Sequence, residues 1–168
     1  LWAMNFEMPI EVRGRILHGA KRPDSADDVP MEFQGEMHFA SGVSATFFNS
    51  FRANHQQWVN VSGTKGYVQV NDFVLPYFGN EVAFEVGNHN FAVDGCFFNM
   101  EKVFYRHAVS EYSNNNPASQ EAEMFRTFGS LVLSGQCDNR WPDISLKTQR
   151  VLDAALKSAN NGGSAIVP

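Results

Sequence analysis

Hydrophobic and polar residues alternate with a period of two through the first two thirds of the chain, the mark of strands that bury one face and wet the other. In the clearest such segment Met31, Phe33, Gly35, Met37 and Phe39 fall on one side, and Glu32, Gln34, Glu36 and His38 on the other. Ahead of it, Ile10, Val12, Gly14 and Ile16 alternate with Glu11, Arg13 and Arg15, and the turn-rich stretch 21–28 separates the two runs. Ser41-Gly42 predicts a short hairpin into 43–53, where Ala45, Phe47 and Phe51 share a face. Two further short strands, 58–62 and 67–71, flank Gly63-Thr64-Lys65-Gly66. This tetrapeptide matches the GxxG of a KH domain by letter, but a KH loop joins helices, and with strands on both sides the pattern predicts a hairpin turn. Pro76 and Gly79-Asn80 then interrupt the alternation before strand-like runs at 82–86, 90–93 and 103–109, whose pairing the periodicity leaves open.

After Asn114-Asn115-Asn116-Pro117 the period changes to that of a helix. Asn116 is the expected N-cap with Pro117 in the first helical position, and Met124, Phe128 and Leu131 form a stripe that ends at Gly135. A second helix is expected after Trp141-Pro142-Asp143, capped by Asp143 or Ser145, with Ile144, Val151, Leu152, Ala155 and Ala159 as its apolar face. Asn160-Asn161-Gly162-Gly163 stops it, and residues 165–167 suit a last edge strand. Strands first and helices last, without repeated strand-helix-strand alternation, predict an α+β fold: an open, mainly antiparallel β-sheet with helices packed on one face.

Composition narrows the class. At 168 residues the chain is the size of one domain and can bury roughly 70% of the surface its unfolded form exposes, so it needs no disulfide or metal to hold a core. Cys96 and Cys137 are too few for a staple framework and fit free thiols in a reducing, cytoplasmic setting. A net charge of -5 gives no basic footprint for nucleic acid, and no apolar run approaches the ~20 residues of a membrane-spanning helix. The chain begins at Leu1 without a basic-then-apolar leader, from which a piece of a longer protein is expected.

Candidate chemistry is sparse. The histidines at 18, 38, 55, 89 and 107 form no HExxH and have no cysteine at zinc spacing, so no metal site is expected. His38 sits on the polar face of its strand and reads as solvated; His18 continues the Ile10 to Ile16 face and reads as a hydrogen-bonded core histidine. There is no GxSxG, GxGxxG or GxxxxGKS, hence no nucleophile elbow and no phosphate cradle. Asn60-Val61-Ser62 is a glycosylation sequon set within a strand and reads as a chance match. The richest segment is Arg52-Ala53-Asn54-His55-Gln56-Gln57, which offers a fixed cation, amides and an imidazole in one short connection; such a set both donates and accepts, as hydroxyl or carboxylate recognition requires.

The order of these motifs resembles a known family. Ala45-Thr46-Phe47-Phe48-Asn49-Ser50-Phe51, then Val59-Asn60-Val61-Ser62-Gly63-Thr64-Lys65-Gly66-Tyr67-Val68-Gln69-Val70-Asn71-Asp72-Phe73, then the Trp141-Pro142 helix with Thr148, Val151, Leu152, Asp153, Ala154 and Ser158-Ala159, is similar to the C-terminal domain of the glucose-fructose oxidoreductase, inositol dehydrogenase and rhizopine-catabolism (Gfo/Idh/MocA) oxidoreductases. The resemblance runs from about Pro9 to Val167. It implies an N-terminal Rossmann domain, outside this chain, that binds NAD or NADP, and a C-terminal domain that lines the substrate pocket and assembles through its sheet face into a homo-oligomer. The implied chemistry is hydride transfer between a sugar or cyclitol and the nicotinamide, with the lysine of a Glu-Lys-Pro motif as acid/base. This sequence has no Glu-Lys-Pro; Glu101-Lys102-Val103 is the nearest string and lacks the proline. The resemblance therefore implies no catalytic and no cofactor-binding residue in this chain. It implies substrate contacts from Arg52, Asn54, His55 and Gln56, and one near the sheet-to-helix crossing around Tyr105, His107 or Tyr112, of which Tyr112 is chosen. Two other readings stand beside it: a non-catalytic carbohydrate-binding or scaffolding domain of the same fold, and a free-standing β-rich ligand-binding protein.

Overall fold

The structure is a computed structural model that describes residues 1–74, 81–110, 117 and 119–168. The chain divides into two compact units, Leu1–Asn54 with Asp138–Pro168, and His55–Cys137. The α+β class is as expected: antiparallel strands come first and helices last, with the strands shared between two sheets.

In the first unit β1 (Glu11–Ala20), β2 (Val29–His38) and β3 (Ser44–Ser50) form an antiparallel sheet in that order. Residues directly opposed in the register share a face, so Val12, Met37 and Ala45 lie together, as do Gly14, Gly35 and Phe47. Helix α2 (Arg140–Asn160) packs this face, burying Val151, Ala154, Ala155 and Ser158 against β1, with Val12 fully buried beneath them. Gly14 is required here: a Cβ at this position would run into the carbonyl oxygen of Ala155. The outer edge of β1 is covered as well. The Val12 N–H donates to the Ile166 carbonyl at 2.8 Å and the Ile166 N–H returns to Val12 at 3.0 Å. The Gly14 N–H donates to Ser158 Oγ at 3.0 Å, and that hydroxyl donates to the Ser164 carbonyl at 2.6 Å.

In the second unit β4 (Val59–Gly63), β5 (Gly66–Val70), β6 (Glu81–Asp94) and β7 (Phe97–Ser110) form an antiparallel sheet, followed by α1 (Gln120–Ser134). Gly63-Thr64-Lys65-Gly66 is the tight β4–β5 hairpin expected from its flanks. The runs at 82–86, 90–93 and 103–109 belong to one long hairpin of two 14-residue strands joined at Gly95-Cys96, with an unbroken register from Glu81↔Ser110 to Asp94↔Phe97. No apolar side chain of this unit is buried among the described residues.

Several local expectations are corrected. His18 is exposed, because the register steps from Ile16↔Phe33 to His18↔Glu32; Leu17 is the extra residue of a bulge, which turns His18 onto the polar face. Phe51 lies past the end of β3 and is exposed rather than on the Phe47 face. Pro117 precedes α1 instead of opening it, since Ser119 is the N-cap and its side chain accepts from the Ala122 N–H; Asn116 lies outside the described residues. Gly135 caps the far end with φ 65, as expected. Helix α2 starts at Arg140, earlier than Asp143 or Ser145 would set it, because Pro142 fits inside the first turn, where no helical N–H partner is needed. Leu152 is exposed and Ala154 takes its place against β1.

Candidate functional site

The polar connection after β3 begins with a local hydrogen-bond knot. Ser50 Oγ accepts from the N–H groups of Arg52 and Ala53 at 2.9 and 3.0 Å, which bends the chain sharply out of the strand, and donates to Glu32 Oε1 at 3.0 Å. The other Glu32 oxygen receives Arg52 Nη1 at 3.5 Å. Arg52 is thus oriented by the sheet, although about half its side chain faces water and the pair contributes less than about 1 kcal/mol. Asn54 closes the first unit and His55 opens the second, both exposed. Gln56 Oε1 accepts from Trp58 Nε1 at 2.8 Å. Gln57 is tied to the strand end by its side-chain hydrogen bond to Asp72 and by its carbonyl, which accepts from the Phe73 N–H at 2.7 Å. Two of the four expected contact residues, Arg52 and Asn54, therefore belong to one unit, and His55 and Gln56 to the other. Tyr112 lies outside the described residues.

Sequence reasoning missed a second constellation on the β4–β7 sheet. Tyr67 is paired with Gly87, whose missing side chain leaves room for the phenol ring; a Cβ there would strike the ring itself. The ring reaches His89, with the phenol oxygen 3.3 Å from Nε2 and the two rings edge to face at 5.4 Å. Directly across from His89 stands Lys102, its Nζ 5.0 Å from the centre of the Phe104 ring. Glu101-Lys102-Val103 is thus part of an exposed strand. Farther along, Phe84 stacks on His107 at 5.0 Å, and Arg106 pairs with Glu81, whose carboxylate holds the guanidinium above its usual range. The signal that could have found this cluster is Gly95-Cys96, where Gly95 with φ 60 opens a two-residue turn between Asp94 and Phe97, because that turn sets the register that brings His89 to Lys102.

On the opposite face of the same sheet, Val61, Val68, Val86, Val103 and Tyr105 line an open concavity of about 350 Å³. Its floor is aliphatic, with Lys65 and Asn88 at its margin. The two faces exchange character near Gly87. Toward the open end of the hairpin, the concavity face carries Phe84, Val86, Tyr105 and Val109, and the other face carries Glu81, Glu85 and Arg106. Toward the Gly95-Cys96 turn the concavity face carries Asn88, Asn90, Asn99 and Glu101, while Phe91, Val93, Phe98 and Met100 stand on the other side.

Among the described residues no group of three or more His, Cys, Asp or Glu is placed to hold a metal ion. Neither helix start suits a dinucleotide pyrophosphate, because α1 carries Glu121 and Glu123 in its first turn and α2 carries Asp143, all of which repel an anion. No helix among the described residues is long and apolar enough to cross a membrane. No protein-family model matches the chain.

Proposed function

We propose that this chain is the substrate-binding and oligomerisation domain of an NAD(P)-dependent oxidoreductase that acts on a sugar or cyclitol by hydride transfer. The observation that carries the reading is the connection from β3 to β4, where the Ser50–Glu32 knot holds Arg52 at the end of the sheet, followed at once by Asn54, His55 and Gln56. Guanidinium and amide groups donate to hydroxyl oxygens, while amide oxygens accept from hydroxyls, so each of these residue types suits contact with a polyol. Its part in the reaction is to bind and orient the carbon that gives up hydride; the nicotinamide accepts that hydride when bound by a separate nucleotide domain of the parent protein. The assay is turnover of sugars and inositols by the full-length parent with NAD or NADP. Arg52→Ala is expected to raise KM about tenfold with little change in kcat, the pattern of lost ground-state binding. A parent that neither binds the dinucleotide nor turns over any polyol would refute the oxidoreductase assignment. Binding of polyols by a parent without dinucleotide affinity would favour the non-catalytic carbohydrate-binding domain instead.

A further inference from the structure

The concavity on the β4–β7 sheet has a cause in the sequence. Its face is built of two neighbouring rows that run across the strands. Val61, Val68, Val86 and Tyr105 form one; Gly63, Gly66, Asn88 and Val103 form the other. The first row carries side chains throughout, whereas the second is bare at its two glycines, and the step between the rows opens the depression of about 350 Å³. The glycines differ in origin. Gly66 has φ 152, and a Cβ on it would strike the Gly87 carbonyl oxygen, so the backbone requires it. Gly63 is under no such constraint, since a Cβ there would meet only the Gly66 carbonyl oxygen at 3.8 Å, an ordinary contact. A strand glycine that neither φ nor packing demands is a mark of close approach by another molecule. Two polar groups flank this bare corner. Lys65 belongs to the two-residue turn between Gly63 and Gly66, and the Asn88 Cβ lies 3.8 Å from where a Gly66 side chain would begin. No carboxylate of the described residues pairs with Lys65.

We propose that the concavity binds a small monocarboxylate with an apolar body, an aryl or alkyl acid. The body lies over the glycines against Val61, Val68 and Val86, and the Lys65 ammonium and Asn88 amide donate to the carboxylate oxygens. The volume is at the small end of the range for ligand pockets, which selects a ligand of modest size. A polyol is disfavoured, because its hydroxyls would lie unpaired on valine side chains. One ammonium also matches a single negative charge better than the dianion of a phosphate ester. Glu101 shares this face but stands on β7, across the sheet from Lys65, and so confines the negative end of the ligand to the Lys65 side. With a net charge of -5 the chain as a whole does not attract anions, so the acid depends on this one local cation. The concavity shares no residue with the 52–57 connection, so this inference and the oxidoreductase reading can fail separately.

The test is a titration of the full chain, labelled at its valine methyl groups, with hydrocinnamate and with hydrocinnamyl alcohol as the uncharged counterpart. The acid is expected to shift the Val61, Val68, Val86 and Val103 methyl signals saturably with a Kd below about 1 mM, and the alcohol to bind about tenfold more weakly. Lys65→Gln should weaken the acid about tenfold and leave the alcohol unchanged, whereas Lys65→Arg should keep the acid affinity. Gly63→Val, which fills the bare corner, should weaken both ligands at least about tenfold. Absence of saturable shifts at that concentration overturns the proposal, as does equal binding of acid and alcohol, or an acid affinity that survives Lys65→Gln. A second copy seated on the concavity overturns it too, seen as methyl shifts that grow with protein concentration and that the acid does not displace. Should Gly63→Val fail to fold, the two Lys65 variants decide alone.

Discussion

Gly14 and Ser158 fix how closely α2 approaches β1. Gly14 supplies the space for the Ala155 carbonyl, and Ser158 Oγ takes the Gly14 N–H that would otherwise be left at a strand edge without a partner. Gly14→Ala is expected to destabilise the chain by about 2 kcal/mol through overpacking, read from urea unfolding. Ser158→Ala should cost about 1–3 kcal/mol in the same measurement, because it orphans a buried N–H. An unchanged midpoint for either variant would show that the helix tolerates a looser seat. Neither residue was visible as special in the sequence: Gly14 reads as one more apolar-face position, and Ser158 as one of several small helix residues. His18 shows the opposite failure. Its alternation is plain in the sequence, but one bulge residue, Leu17, inverts the phase, and a bulge leaves no mark in hydrophobic patterning.

At the scale of elements, legibility followed locality. The β2–β3 and β4–β5 hairpins and the Gly135 end of α1 were readable because each depends on residues adjacent in sequence. The start of α1 depends on which of several polar residues wins the cap. Ser119 does, by accepting from the Ala122 N–H, and Ser119→Ala should destabilise the helix by about 1 kcal/mol, seen as lost protection of its first-turn amides in hydrogen exchange. The long β6–β7 hairpin looks in the sequence like separate short runs because its apolar side changes face part-way, so no single period-two template spans it. The same inversion hid the Tyr67–His89–Lys102 cluster, which exists only once the register is set. The polar connection at residues 52–57, by contrast, was legible as a set of residue types; its division between the two units was not.

At the scale of the molecule, the segment 55–137 is inserted between the two pieces of the first unit. Residues 55–137 produced alone should give a mixed circular dichroism spectrum of antiparallel sheet and the α1 helix, with a melt whose midpoint rises with concentration, because the β4–β7 sheet buries no apolar side chain of its own among the described residues. A melt independent of concentration would count against that expectation.

The closure of β1 by Ser158 and Ile166 has a consequence for how the protein is made. Gly14 and Ser158 stand 144 positions apart, and Val12 meets its last partner at Ile166. At a synthesis rate of about 5–20 residues per second, the first three strands leave the ribosome several seconds before the helix that covers them exists. The second unit, whose strand pairings all fall within residues 59–110, can assemble during that interval. Birth order and folding order are therefore out of step within the first unit: β1 to β3 can pair with one another early, but the face that α2 covers stays open to water until residues 140–160 have been made.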